Sequence, residues 1–310
     1  MCSSRCSTPR PRADGEHMQP PSSLVGIAAE QIASSLEVFE PPELPPEAPI
    51  ALLVPAMGVE ARFYRRLAQP LAQRRIRLVI SELRGHGRSD VRPGRHLDFG
   101  YASMIEHDLP AAVDAIEARF PDAERWLLGH SLGGQLSALF CATHPDRVAA
   151  FVTVAACSIH WRAYPGHLQL PILISTQLAA VIARSLGSFP GHRLGFAGHE
   201  AQGVIRDWAR QARSGRYRLS GSGIDYERVL AGCTTPGLLL SLQGDEAFAP
   251  PSAVAHLASK LPPRCVHRHL EDRALSELPR THFDWVRTPG VVLDAVIPWL
   301  SSYAGVSEVS

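Results

Sequence analysis

The feature that most restricts how this chain can fold is one short run. Arg125-Trp-Leu-Leu-Gly129 leads directly into His130-Ser131-Leu132-Gly133-Gly134. The first part is apolar and reads as a buried strand. The second opens a helical stretch that runs to about Thr143 and stops at His144-Pro145. The turn between strand and helix must therefore be very sharp. Glycines two residues before and two after Ser131 let the backbone close without side-chain clashes. A serine on such a turn stands at the carboxyl edge of a sheet, where open α/β folds collect ligands. The helix N-terminus favours negative charge beside it. A bare G-x-S-x-G is weak, and the strand before it and helix after it carry the signal.

The rest of the chain alternates in the same way. Short apolar runs lie at Ile50–Pro55, Ile76–Ser81, Val148–Ala156, Gly237–Leu242 and 264–270. Helical stretches are predicted at 60–74, 101–119, 252–260 and 288–301, and Pro41–Pro49 is a turn between two early strands. This pattern implies an α/β architecture, a mostly parallel sheet with helices on both faces. Residues 157–230, rich in Gly, Pro and aromatic residues, break the alternation and read as an inserted cap. The expected division is a disordered tail at 1–22, a core of 23–156 and 231–303, the cap at 157–230, and a tail at 304–310. Met18 offers a second start.

Composition narrows the class. The 310 residues carry a net charge of +1, with Lys260 the only lysine and arginines interleaved with acids, so no nucleic-acid partner is expected. The six cysteines form no CxxC pair, and unrelated thiols rather than a disulfide or metal site are expected. No GxGxxG or phosphate loop occurs, so no cofactor is implied. Between Arg162 and Arg184 there is no charged Asp, Glu, Lys or Arg. Gln169, Pro171, Ser175, Thr176 and Gln177 interrupt that run, which argues against a stable membrane span. No apolar leader follows the early arginines, and the cytoplasm is the default location. Oligomeric state does not follow from the sequence.

A serine hydroxyl becomes a nucleophile only when a base takes its proton. On sheets that present serine in this way the partners follow in the order Ser, acid, His. Of the 14 histidines, His267, His269 and His282 lie late enough. His267 and His269 alternate within a strand and suit sheet packing, with no third ligand to make a metal site. His282, in a loop before the last helix, is the expected base. The acid lies after the strand Gly237–Leu242, where Asp245 and Glu246 are adjacent. A carboxylate there would hold the imidazole tautomer. The oxyanion donors are the backbone N–H groups of Leu132, next to the nucleophile, and Met57, in the loop after the strand at 50–55.

From about residue 48 to 301 the chain resembles the α/β-hydrolase superfamily, in its serine-aminopeptidase-like branch. The residues that carry the likeness are Val54-Pro-Ala-Met-Gly58, Phe63-Tyr-Arg-Arg66, Leu83-Arg-Gly-His-Gly-Arg-Ser89 and Gly129–Gly134. Arg206-Asp-Trp-Ala-Arg210 and Gly215-Arg-Tyr217 in the cap, Phe248-Ala-Pro250 and His282-Phe283 complete it. The resemblance implies an α/β-hydrolase fold with an inserted cap. Glu82 stands where relatives have Asp, in a structural role. Counting back four from Pro250, the resemblance favours Glu246 over Asp245 as the acid.

The expected activity is that of a serine hydrolase acting on an ester, amide or thioester of an apolar small molecule through an acyl-enzyme. Acyl transfer on the same residues, a non-catalytic binding scaffold and a membrane-associated lipid handler are the alternatives. The uncharged stretch Leu170–Ile182 divides between ordinary core and the lining of an acyl pocket, with Leu178 and Ile182 as test positions.

Overall fold

The computed structural model describes residues 20–303. The expected tails, apart from 20–22, lie outside the described residues, as do Cys2, Cys6 and Met18. β1 (Ser23–Ala29) and β2 (Ile32–Phe39) form an antiparallel hairpin. Its two turn residues, Glu30 and Gln31, take φ of 50° and 65°, the geometry that matches strand twist. The apolar runs that follow are β3 (Ile50–Val54), β4 (Arg77–Ser81), β5 (Arg125–His130) and β6 (Ala150–Val154). After a small cap hairpin of β7 (Ser188–Phe189) and β8 (Glu200–Ala201), the sheet resumes with β9 (Gly237–Leu242) and β10 (Cys265–Leu270).

The main sheet has eight strands in the order β1-β2-β4-β3-β5-β6-β9-β10. β2 pairs antiparallel with β4, and from β4 to β10 every neighbour is parallel. Every residue of β3, β4, β6 and β9 is buried, which is why these strands read as continuous apolar runs rather than alternating ones. The helices that cover the sheet include α1 (Leu109–Arg119) and α2 (Leu132–Thr143). Between β6 and β9 come α3 (Gly166–Leu186), α4 (Gln202–Ser214) and α5 (Tyr226–Ala231). α6 (Pro251–Ala258) and α7 (Gly290–Tyr303) follow β9 and β10.

The segment 60–74 differs from the single helix expected. It is a 3-10 turn, Ala61–Leu67, followed by a short α-helix, Ala68–Ala72. Glu82 explains the tight entry, because its carboxylate accepts the backbone N–H groups of Ala61 (2.9 Å) and Arg88 (3.3 Å). One acid thus anchors two loops at the carboxyl edge of the sheet.

α3 and α4 pack against each other within the segment expected to form a cap. Two buried acids fasten it to the core. Glu200 meets His86 at 3.0 Å, and Asp207 accepts the Tyr101 N–H (3.3 Å). A side chain on Gly58 would strike the Ala197 carbonyl carbon at 2.4 Å, so the cap loop rests directly on the loop after β3.

Candidate active site

The turn after β5 has the geometry its glycines suggest. Ser131 sits at φ 52° and ψ −118°, a strained conformation held by its surroundings. A Cβ on Gly129 would lie 2.4 Å from Gly134 Cα, and one on Gly133 only 2.0 Å from Val54 O. The bare backbone at Gly133 lets the start of α2 touch the end of β3. That contact brings the loop Pro55–Gly58 beside Ser131.

His282 sits in a single helical turn, Thr281–Asp284, between β10 and α7. Its Nε2 lies 3.1 Å from Ser131 Oγ and its Nδ1 lies 2.7 Å from Asp245 Oδ2. A carboxylate only accepts, so Nδ1 carries the proton and Nε2 is free to accept from the serine. Asp245 and His282 are both buried. Burial raises the Asp245 carboxyl above its ordinary value, while the His282 imidazole and the N–H groups of Ala249 and Phe248 oppose the rise. The Phe248 ring stacks on His282 at 4.8 Å and the Phe283 ring meets it edge-on, so the imidazole is walled from solvent on two sides.

Glu246, which the count from Pro250 favoured, is not brought to His282. The chain turns tightly after β9, with the Asp245 N–H bonded to Leu242 O and the Ala249 N–H to Asp245 O. That turn aims Asp245 inward. Glu246 is exposed, and its carboxylate folds back on the Gly244 N–H at 3.1 Å. His267 and His269 also stay away from the serine. Both bond Ser241 Oγ at 2.9 Å across neighbouring strands. Among the described residues no His, Cys, Asp and Glu cluster could hold a metal ion.

Two residues were not singled out from the sequence. The Ala56 N–H donates to the Tyr64 hydroxyl (2.9 Å), which lies 2.7 Å from His130 Nδ1. His130 Nε2 lies 2.7 Å from the His282 carbonyl, which can only accept, so Nε2 carries the proton and Tyr64 donates to Nδ1. Burial, helped by the nearby His282, holds the His130 pKa well below its usual value, as a neutral ring requires. The chain of bonds joins the loop after β3, the serine turn and the histidine loop. Its sequence trace was present in Phe63-Tyr64 and Gly129-His130-Ser131, without the pairing between them.

Ser131, Leu132, Met57 and His282 share one cavity of about 150 Å³ with Cys157, Trp208 and Phe248. As the first residue of α2, Leu132 has no carbonyl one turn earlier to take its N–H. Burial pushes the Cys157 thiol up to about 12, so it stays protonated at neutral pH. Ile159, Tyr164, Phe196, Trp208 and Phe248 also line a second, apolar cavity of about 360 Å³ under α3. α3 contributes Ile172, Ser175 and Ala179 to it. Leu178 faces outward instead, 56% exposed, and Ile182 packs among Ala183, Phe189 and Ile205.

Residues 52–231 match the family described as alpha/beta hydrolase fold. The chain belongs to this family. The pimeloyl-acyl-carrier-protein methyl ester esterase of Salmonella heidelberg (strain SL476) is 31% identical over 117 residues, 37% of this chain and 40% of that protein. The chain therefore spans less than half the length of the curated relatives it matches. A thermophilic esterase from Thermogutta terrifontis superposes with a TM-score of 0.60 at 18% identity, covering 91% of this chain and 99% of that one. A soluble variant of the monoglyceride lipase of Saccharomyces cerevisiae gives 0.66 at 13% identity, covering 92% and 96%. At these identities the two structures establish the shared α/β-hydrolase fold.

Proposed function

We propose that the chain is a serine hydrolase that cleaves esters with an apolar acyl group, through an acyl-enzyme on Ser131. The observation that carries this is one imidazole, His282, bonded to the Ser131 hydroxyl on one side and the buried Asp245 carboxylate on the other. Ser131 Oγ attacks the ester carbonyl carbon while its proton passes to His282 Nε2. Asp245 keeps Nδ1–H in place and stabilises the imidazolium that forms. The N–H groups of Leu132 and Met57 receive the developing oxyanion, a contribution of about 3–4 kcal/mol per donor in comparable sites. The tetrahedral adduct collapses, and His282 returns the proton to the departing alkoxide. Water then attacks the acyl-enzyme by the same route and releases the acid.

The apolar cavity under α3 adjoins the serine cavity and is the proposed acyl site. The esterase activity of the Salmonella relative supports an ester over an amide, and the sequence likeness to the serine-aminopeptidase-like branch is compatible with the same residues. The cytoplasm remains the proposed location. A fluorophosphonate probe should label the protein on the peptide containing Ser131, and Ser131→Ala should abolish labelling without loss of fold. Full labelling of that variant at another serine would contradict the assignment.

A further inference from the structure

α3 carries two apolar faces. Ile172, Ser175 and Ala179 line the inner cavity. Leu170, Ile174, Leu178 and Val181 recur at intervals of three and four residues and form one stripe on another side of the helix. Each is more than half exposed, at 59%, 62%, 56% and 61%. Four large aliphatic side chains in one exposed row mark a contact surface rather than scattered surface residues.

The segment that carries this stripe has charges of one sign. No Asp or Glu occurs between Asp146 and Glu200. In that interval Arg162, Arg184 and Arg193 are all exposed. Arg95 adds a further exposed cation, bonded through its guanidinium to Ser185 O near the end of α3. Leu194, 59% exposed, and Phe196 and Phe248, which border the serine cavity, bring apolar surface to its mouth.

We infer that the outer face of α3 docks the protein on an anionic lipid bilayer, with the stripe in the acyl boundary and the arginines at the headgroups. A row of aliphatic residues on a segment that carries arginines and no acids is complementary to that surface in both hydrophobicity and charge. α3 is long and apolar enough to span a bilayer. Yet Thr176, Ala179 and Ala183 are buried, and the Gln177 amide donates to Ala209 O on α4 at 2.8 Å. Withdrawing the helix into a membrane would open the cavity beneath it. It therefore lies along the surface. This inference does not rest on the hydrolase reading, because lipid binding is measured without turnover.

The test is sedimentation of the full chain with vesicles of phosphatidylcholine alone and of phosphatidylcholine mixed with phosphatidylglycerol. Binding should be stronger to the mixed vesicles, since each arginine at an anionic surface contributes about fivefold. Ile174→Asp with Leu178→Asp should abolish binding while circular dichroism and the melting temperature stay unchanged. Arg184→Gln with Arg193→Gln should weaken binding to mixed vesicles roughly 25-fold and leave neutral vesicles unaffected. Failure to pellet with either vesicle would overturn the inference, as would unchanged binding of the Asp double variant. So would a dimer in solution that this variant dissociates, which would assign the stripe to a second copy of the chain.

Discussion

On the core side of the cavity, Ser131, His282, Asp245, His130 and Tyr64 are linked by hydrogen bonds of 2.7–3.1 Å. On the cap side, the side chains of Ile159, Phe196, Trp208 and Ala179 offer shape and apolar surface. A directional network fails when one atom is removed, because the partners left behind are buried and unsatisfied. An apolar roof fails gradually, in proportion to the area lost. Under the proposed function, the difference gives bond cleavage to the core and choice of acyl chain to the cap. Substitutions on the two sides should therefore differ in kind as well as size.

The largest effect that would sharpen this division is at the acid loop. Asp245→Asn should lower kcat by about four orders of magnitude, since an amide can donate to Nδ1 and hold the wrong tautomer. Glu246→Gln, beside it in sequence, should leave kcat within about twofold, as expected for an exposed surface change. Steady-state kinetics on one good ester checks both, and equal losses would place the acid elsewhere.

A smaller loss is expected in the supporting network. Tyr64→Phe removes the hydroxyl between Ala56 N–H and His130, leaving two buried groups unpaired at a cost of about 1–3 kcal/mol each. Thermal stability should fall. If Tyr64 also aims the Met57 donor, kcat should fall about tenfold with KM little changed, because the oxyanion is bound only in the transition state. A loss of stability with kcat intact would make Tyr64 purely structural.

The attachment of cap to core gives the smallest effect, and it depends on pH. Burial lowers the His86 pKa, but the charge and hydrogen bond of Glu200 outweigh it and the net shift is upward from 6.5. A raised folded value means that the pair contributes fully below pH 6.5 and loses its contribution as pH rises through the folded value. The melting temperature should therefore decline between mildly acidic and alkaline buffer by roughly 2–4 °C more in the wild type than in Glu200→Gln. Parallel pH profiles would show that the pair is not charged.

The same division runs through what could be read before the structure was known. The alternating core and the pairing of Ser131 with His282, 3.1 Å apart, follow from local pattern: a turn between strand and helix, or a position after the last strand. Asp245 was not separable from Glu246, since neighbours in a loop point to opposite sides and only the turn from Leu242 to Ala249 decides which is buried. Tyr64, His130 and His282 are far apart in sequence, and no local pattern encodes their bonds. In α3 the uncharged run hid two faces with different surroundings. Its apolar residues read alike, although Ala179 borders the cavity and Leu178 faces outward.

Cleavage by the core and selection by the cap are separated by kcat/KM for nitrophenyl esters from acetate to octanoate in the wild type and in Ala179→Phe. Each added methylene buried under α3 is worth about 0.8 kcal/mol, close to fourfold, so the wild-type profile should climb from acetate to at least butyrate. The phenyl group should fill the second cavity, leaving acetate within about twofold and lowering octanoate by at least about tenfold. A flat wild-type profile, or an equal fall for acetate and octanoate in the variant, would contradict the account.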